Sequence, residues 1–157
     1  MGYTFAPQTT FVVGDVPVSV TTADVNHDGH ADLITANAGS DTMSVLLGNG
    51  DGTFGVQTTF AVGVGPQSVT TADVDGDGDA DLIVANQTTS GTVSVLLGNG
   101  DGTFVAQTYA VGTNPISVTT ADVDGDGDAD LVAANYGSGT VSVLLGNGDG
   151  TFVAQTT

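Results

Sequence analysis

The chain repeats itself with a period of 49 residues, and that periodicity limits its fold more than any other feature. The segments SVTTADVNHDGHADLITAN (19–37), SVTTADVDGDGDADLIVAN (68–86) and SVTTADVDGDGDADLVAAN (117–135) align without gaps. Each is followed by SVLLGNGDGTF, ending at Phe54, Phe104 and Phe152. Self-similarity at this spacing marks stacked supersecondary units, each burying its apolar surface against the next. Each unit reads as four short strands. In the first unit they are Val18–Val25, Ala31–Asn37, Thr42–Leu47 and Phe54–Val62. The Asn-Gly and Asp-Gly pairs of GNGDG (48–52) form the turn before the last strand. Strands such as ADLITAN and SVLLGN carry apolar residues on both faces, as a small sheet packed between two others requires. The expected fold is therefore all-β. It consists of three four-stranded antiparallel repeats of about 49 residues, each with the arithmetic of a β-propeller blade.

On this reading blade 1 covers residues 15–63, blade 2 residues 64–112, and blade 3 residues 113–157 with an incomplete fourth strand. Residues 1–14 supply an extra outer strand, because FAPQTT (5–10) resembles FVAQTT (152–157). Either the chain is an excerpt of a longer array, or the spare strand, Phe5–Val13, pairs outside its own three blades.

Five aspartates occupy alternate positions of DVDGDGDAD (122–130), and the chain has no Lys or Arg to offset them. Two carboxylates at about 4 Å repel by roughly 1 kcal/mol in water and several-fold more near a protein surface. A cation from outside resolves the conflict. Oxygen-bearing side chains recur at loop positions 1, 3, 5 and 9. They are Asp24, Asn26, Asp28 and Asp32, then Asp73, Asp75, Asp77 and Asp81, then Asp122, Asp124, Asp126 and Asp130. Position 6 is glycine in all three loops (Gly29, Gly78, Gly127), whereas position 4 admits His27 in the first. Alternating oxygens around a glycine turn can wrap a hard cation at about 2.3–2.6 Å, with the position 7 carbonyl of His30, Asp79 or Asp128 as a further ligand. All-oxygen donors favour Ca²⁺ over Zn²⁺ or Cu²⁺, and Mg²⁺ takes fewer carboxylates. Three Ca²⁺ sites follow, one per repeat. The loop is not an EF-hand, because position 12 holds Thr35, Val84 and Ala133 in place of a bidentate Glu. Halophilic acidity would scatter carboxylates over the surface, yet 13 of the 18 aspartates lie in these loops. Asp51, Asp101 and Asp149 read as turn residues, His27 and His30 as solvent-facing, and NQT (86–88) as a short match to a glycosylation acceptor.

ADVDGDGDADLIVAN followed by GTVSVLLGNGDGTF resembles the FG-GAP/VCBS repeat, the blade of integrin-α-type β-propellers, over nearly the whole chain. The resemblance implies four-stranded blades with a Ca²⁺ loop between the first two strands. It also implies an extracellular or cell-surface setting and a role in adhesion or ligand binding. The sequence departs from the family in one respect: three blades do not close a ring.

The net charge of −18 excludes nucleic acid and anionic membrane surfaces as partners, and no apolar run is long enough for membrane insertion. The N-terminal MGYTFAPQTT has neither the basic region nor the apolar core of a signal peptide. Without Cys, Lys, Arg or Glu, most nucleophile, Schiff-base and phosphate-clamp arrangements are missing, so an enzyme is not expected. Two functional classes remain. One is a Ca²⁺-stabilised module that binds a protein or glycan. The other is a structural array that self-assembles as a homo-oligomer, head to tail, into a ring or filament. Near-identical repeats leave little variation for a unique pocket and favour the second; the family resemblance favours the first.

Overall fold

A computed structural model describes residues 7–154. Twelve strands form three separate four-stranded antiparallel sheets, one per repeat, and the described residues contain no helix. Blade 1 comprises β1 (Pro17–Ala23), β2 (Asp32–Asn37), β3 (Thr42–Leu46) and β4 (Thr58–Ala61). Blade 2 comprises β5 (Pro66–Ala72), β6 (Asp81–Asn86), β7 (Thr92–Gly98) and β8 (Phe104–Ala110). Blade 3 comprises β9 (Pro115–Ala121), β10 (Asp130–Asn135), β11 (Thr140–Gly146) and β12 (Phe152–Ala154). Within each sheet the strands run in sequence order and every neighbouring pair is antiparallel.

The sheets stack face to face, and the period-2 alternation of the central strands of blade 2 feeds two different cores. From blade 1, Ile34, Ala36, Met43 and Val45 meet Val69, Leu82, Val84 and Leu96 of blade 2. Shifted one repeat along, Ile83, Ala85, Val93 and Val95 meet Val118, Leu131, Ala133 and Leu144 of blade 3. Each junction is sealed at its outer rim by an edge-to-face aromatic pair, Phe60–Phe104 at 5.1 Å and Tyr109–Phe152 at 5.3 Å between ring centroids. Near the axis, the Val69 N–H donates to Ser19 Oγ (3.2 Å) and the Val118 N–H to Ser68 Oγ (3.5 Å), tying successive first strands together.

The expected strands form, with two differences. The first strand of each blade stops before the aspartate loop instead of running to Val25, because the Val25 N–H is taken by the Asp32 side chain. The expected fourth strand Phe54–Val62 is broken. After Val45↔Thr58 the next pairing is Gly48↔Phe54, so Leu46 and Leu47 face three residues, Gly55, Val56 and Gln57. Unit 1 has one residue more than unit 2 between its GTF and the following Val-Gly, and that residue is absorbed as a bulge. In blade 2 the corresponding strand pairs without interruption from Gly98↔Phe104 to Thr92↔Ala110.

For the extra strand expected over 1–14, residues 1–6 lie outside the described residues, and residues 7–13 make no strand. The segment nonetheless occupies an outer-strand place. QTTFVVG (8–14) repeats QTTFAVG (57–63) with one change. Phe11 packs edge-to-face on Phe54 at 5.1 Å, and the Gly14 N–H donates to Ser44 Oγ as the Gly63 N–H does to Ser94 Oγ. In blade 3, residues 155–157 of the fourth strand lie outside the described residues.

A buried asparagine closes the second strand of every blade. Asn37, Asn86 and Asn135 each donate through Nδ2 to the two hydroxyls facing them on the third strand. In blade 1 Thr35 Oγ1 donates to Asn37 Oδ1 at 3.0 Å; in blades 2 and 3, where Val84 and Ala133 replace it, Asn86 Oδ1 and Asn135 Oδ1 have no partner. A buried acceptor without a donor costs more than a made hydrogen bond returns. Val84→Thr is therefore expected to stabilise the fold by about 1 kcal/mol, measured by urea denaturation; unchanged or lowered stability would mean that Asn86 Oδ1 is not the deficit it looks.

Candidate metal centre

The three aspartate loops join the first and second strands of the blades and lie along one rim of the stack. Position 9 anchors each of them. Asp32, Asp81 and Asp130 are fully buried at the start of the second strand. In each, Oδ2 accepts the N–H of position 2 (Val25 2.8 Å, Val74 2.7 Å, Val123 2.7 Å). Oδ1 accepts the N–H of the first glycine of the following GNGDG turn, from Gly48, Gly98 and Gly146, at 2.8 Å in every blade. Only glycine allows this approach. A Cβ on Gly48, Gly98 or Gly146 would stand 2.3, 2.6 or 2.4 Å from the carbonyl oxygen of Ala31, Ala80 or Ala129.

Position 1 folds the loop over itself. Asp73 accepts from the Gly76 N–H (2.7 Å) and the Gly78 N–H (3.0 Å), and Asp122 accepts likewise from Gly125 and Gly127. The glycine at position 6 has positive φ in all three loops, +82° at Gly29, +92° at Gly78 and +99° at Gly127, and a left-handed backbone is the reason for glycine there. Position 4 is left-handed too, and His27 adopts φ 57°. With a side chain there, Asp24 Oδ1 takes the Asp28 N–H instead (3.2 Å).

Positions 1, 3 and 9 converge. Carboxylate oxygens of Asp73, Asp75 and Asp81 lie within 4.8 Å of one another, as do those of Asp122, Asp124 and Asp130. In the first loop Asn26 stands at position 3, and its amide donates to Asp28 Oδ2 (3.0 Å). The side chain at position 5 is held within the loop, with Oδ1 of Asp28, Asp77 and Asp126 accepting the N–H of His30, Asp79 and Asp128. The position 7 side chains lie against the next turn. A Cβ on Gly50, Gly100 or Gly148 would collide with His30, Asp79 or Asp128. His27 is exposed as expected, yet its Nε2 lies 2.5 Å from Asp79 Oδ1, linking loop 1 to loop 2.

The carboxyls of Asp81, Asp75 and Asp124 resist ionisation. Desolvation pushes the Asp81 carboxyl up to about 6, against the two backbone N–H groups that favour its charge and with the Asp75 and Asp77 carboxylates adding to the rise. Desolvation and neighbouring carboxylates raise Asp75 and Asp124 as well. Three acidic oxygens that converge around a buried position 9 carboxylate, with no Lys or Arg in the chain, fit a hard divalent cation. The turn aspartates behave in the opposite way. Asp51, Asp101 and Asp149 are lowered by the hydroxyl and then the N–H of Thr53, Thr103 and Thr151, so they serve the turn as expected. The Asn86 side chain is buried and committed to Thr92 and Ser94, so the NQT match is no glycan acceptor in the folded chain.

These shifts set the pH response of the metal-free protein. Groups raised in the folded state destabilise it when ionised, so stability is expected to rise as pH falls through about 6 and the gain to be complete near 3.8. Below 3.8 the lowered turn aspartates lose their bonds to threonine and stability falls again. Melting temperature in chelator, scanned from pH 7 to pH 3, is expected to pass through a maximum near pH 4; a monotonic fall from pH 7 would contradict the desolvated triads.

The FG-GAP-like repeat matches residues 24–84, 73–133 and 122–157. Each match begins at position 1 of an aspartate loop, and the first two end within the second strand of the following blade. No curated protein matches the chain.

Proposed function

The chain belongs to the FG-GAP-like repeat family, and on that premise we propose that it is a Ca²⁺-binding, Ca²⁺-stabilised β-propeller-type module with a binding role and no catalytic one. The observation that carries the reading is the convergence of positions 1, 3 and 9 in two loops whose only counter-charge can come from outside. Asp73, Asp75 and Asp81 would hold one ion and Asp122, Asp124 and Asp130 a second, with the oxygens of positions 5 and 7 close by in the same loop. Asp24, Asn26 and Asp32 supply the corresponding set in loop 1, with one carboxylate fewer. Bound there, the cation neutralises the crowded carboxylates. Because the position 9 carboxylate also grips the next turn, fixing it orders two connections of the blade at once. Family membership supports an extracellular or cell-surface setting, where calcium is abundant and adhesion or recognition of a protein or glycan is the usual task of such repeats.

Calorimetric titration of the chelator-treated chain is expected to show three Ca²⁺ sites, the loop 1 site weakest. Asn26→Asp should tighten that site about tenfold and Asp75→Asn weaken the second by a similar factor, ~1.4 kcal/mol each. Ligand binding to the folded state alone stabilises it by roughly 2.7 kcal/mol per site at a hundredfold excess over Kd, so chelation is expected to lower the melting temperature sharply. A melting temperature indifferent to both chelator and Ca²⁺ would reject the reading.

A further inference from the structure

Each junction between blades joins two different faces. The leading face, made by Val25, Ile34, Met43 and Val45 in blade 1, covers the trailing face of the next blade, made by Val69, Leu82, Val84 and Leu96. The same positions meet again between blades 2 and 3. A stack built this way ends in one uncovered face of each kind. Blade 1 presents the first-strand part of its trailing face, where Val20 is 64% exposed while its equivalent Val69 is 6%, whereas Thr35 and Leu46 of the same face are already buried. Blade 3 presents its leading face, where Val141 is 62% exposed while its equivalent Val93 is 0%, and Val123 is half exposed where Val25 and Val74 are buried.

From this we infer that the chain associates head to tail, the leading face of blade 3 in one copy docking on the trailing face of blade 1 in another. A second copy is the occupant that fits, because the two open faces are the two halves of an interface the chain already makes twice. The polar contacts of that interface are duplicated as well. Ser117 of blade 3 stands where Ser19 and Ser68 accept the N–H of the next first strand, so it is placed to accept the Val20 N–H. The Gly102 N–H donates to the Val25 carbonyl (2.9 Å) and the Gly150 N–H to the Val74 carbonyl (3.3 Å), which leaves the Gly52 N–H and the Val123 carbonyl as the corresponding pair across the new junction. Residues 8–14 add an independent sign. They carry the sequence of an outer strand and sit against Phe54 as Phe60 sits against Phe104, yet residues 7–13 pair with no strand among the described residues. In blade 2 the Thr92–Val93 end of the third strand pairs with Ala110 and Tyr109 of the outer strand. Docking of the two faces would bring that strandless segment to the corresponding Thr140–Val141 end of β11 in the other copy, a β-augmentation in trans.

Sedimentation velocity of the 157-residue chain in Ca²⁺, from micromolar to millimolar concentration, tests this. Species at multiples of 15.4 kDa are expected, growing with concentration if the contact runs on or settling at one size if it closes. Val20 and Val141 are exposed in the single chain, so Val20→Asp and Val141→Asp should keep its melting temperature while each alone reduces it to a 15.4 kDa species. Mixed in equal amounts, the two variants should form a two-chain species, because one brings an intact blade 3 face and the other an intact blade 1 face. A wild-type chain that stays at 15.4 kDa throughout would overturn the inference and leave the faces to further blades or another protein. Assembly abolished by only one of the two variants would overturn it in favour of a face-to-face dimer.

Discussion

A buried carboxylate organises every blade. Asp32, Asp81 and Asp130 each spend one oxygen on the loop that precedes the second strand and the other on the turn that follows the third. Two connections far apart in sequence are thereby fixed to one side chain, and the strands between them are held in register. Hydrogen bonds to a charged acceptor are about twice as strong as neutral ones, but the acceptor must stay charged while buried. Desolvation opposes this, as the upward shift at Asp81 shows. In blade 2 structure and metal chemistry therefore meet in one residue: Asp81 ties the blade together, and its buried charge is the one a cation relieves.

The second constraint is alternation. Because successive side chains of a strand point to opposite faces, the apolar run DLIVAN of β6 serves two cores at once, Leu82 and Val84 towards blade 1 and Ile83 and Ala85 towards blade 3. A central strand of this kind gains burial from each neighbour, although β2 of blade 1 is buried at every position but Leu33 with no blade before it among the described residues. Blade 2 has both and its β6 is buried throughout, whereas β10 of blade 3 alternates between buried and half-buried positions. The stack is polar in the sense of having two unlike ends, and no rearrangement inside one chain makes those ends alike.

Much of this was legible in the sequence because the repeats act as controls on one another. Fixed spacing pointed to three four-stranded sheets, and the glycine common to three loops at position 6 marked the left-handed backbone found at Gly29, Gly78 and Gly127. Less visible were effects of single-residue differences between repeats. The extra residue that breaks the fourth strand of blade 1 shows only as a one-residue difference in spacing, GTFGVQTTFAVG against GTFVAQTYAVG. The role of position 7 was hidden because its side chain packs on a turn about 20 residues away. A signal for it existed in the glycine at the third place of SVLLGNG's GNG, present in all three units, which accommodates His30, Asp79 or Asp128. The spare acceptors of Asn86 and Asn135 were also encoded, in the replacement of Thr35 by Val84 and Ala133, but a position read for metal ligation gave no reason to inspect it for a hydrogen bond.

The loops are not independent of one another, and the reason is geometric. The turn gripped by Asp81 continues to Gly102, whose N–H is bonded to the Val25 carbonyl in the loop of blade 1. The turn gripped by Asp130 continues to Gly150, bonded in the same way to the Val74 carbonyl in the loop of blade 2. Order at the third loop thus reaches the second through one turn, and order at the second reaches the first. His27 adds a direct contact to Asp79 between loops 1 and 2. The direction is fixed by the stacking, since each blade's turn reaches back to the preceding loop. Among the described residues no turn holds the Val123 carbonyl of loop 3, and it is the leading face beside that loop that lies open.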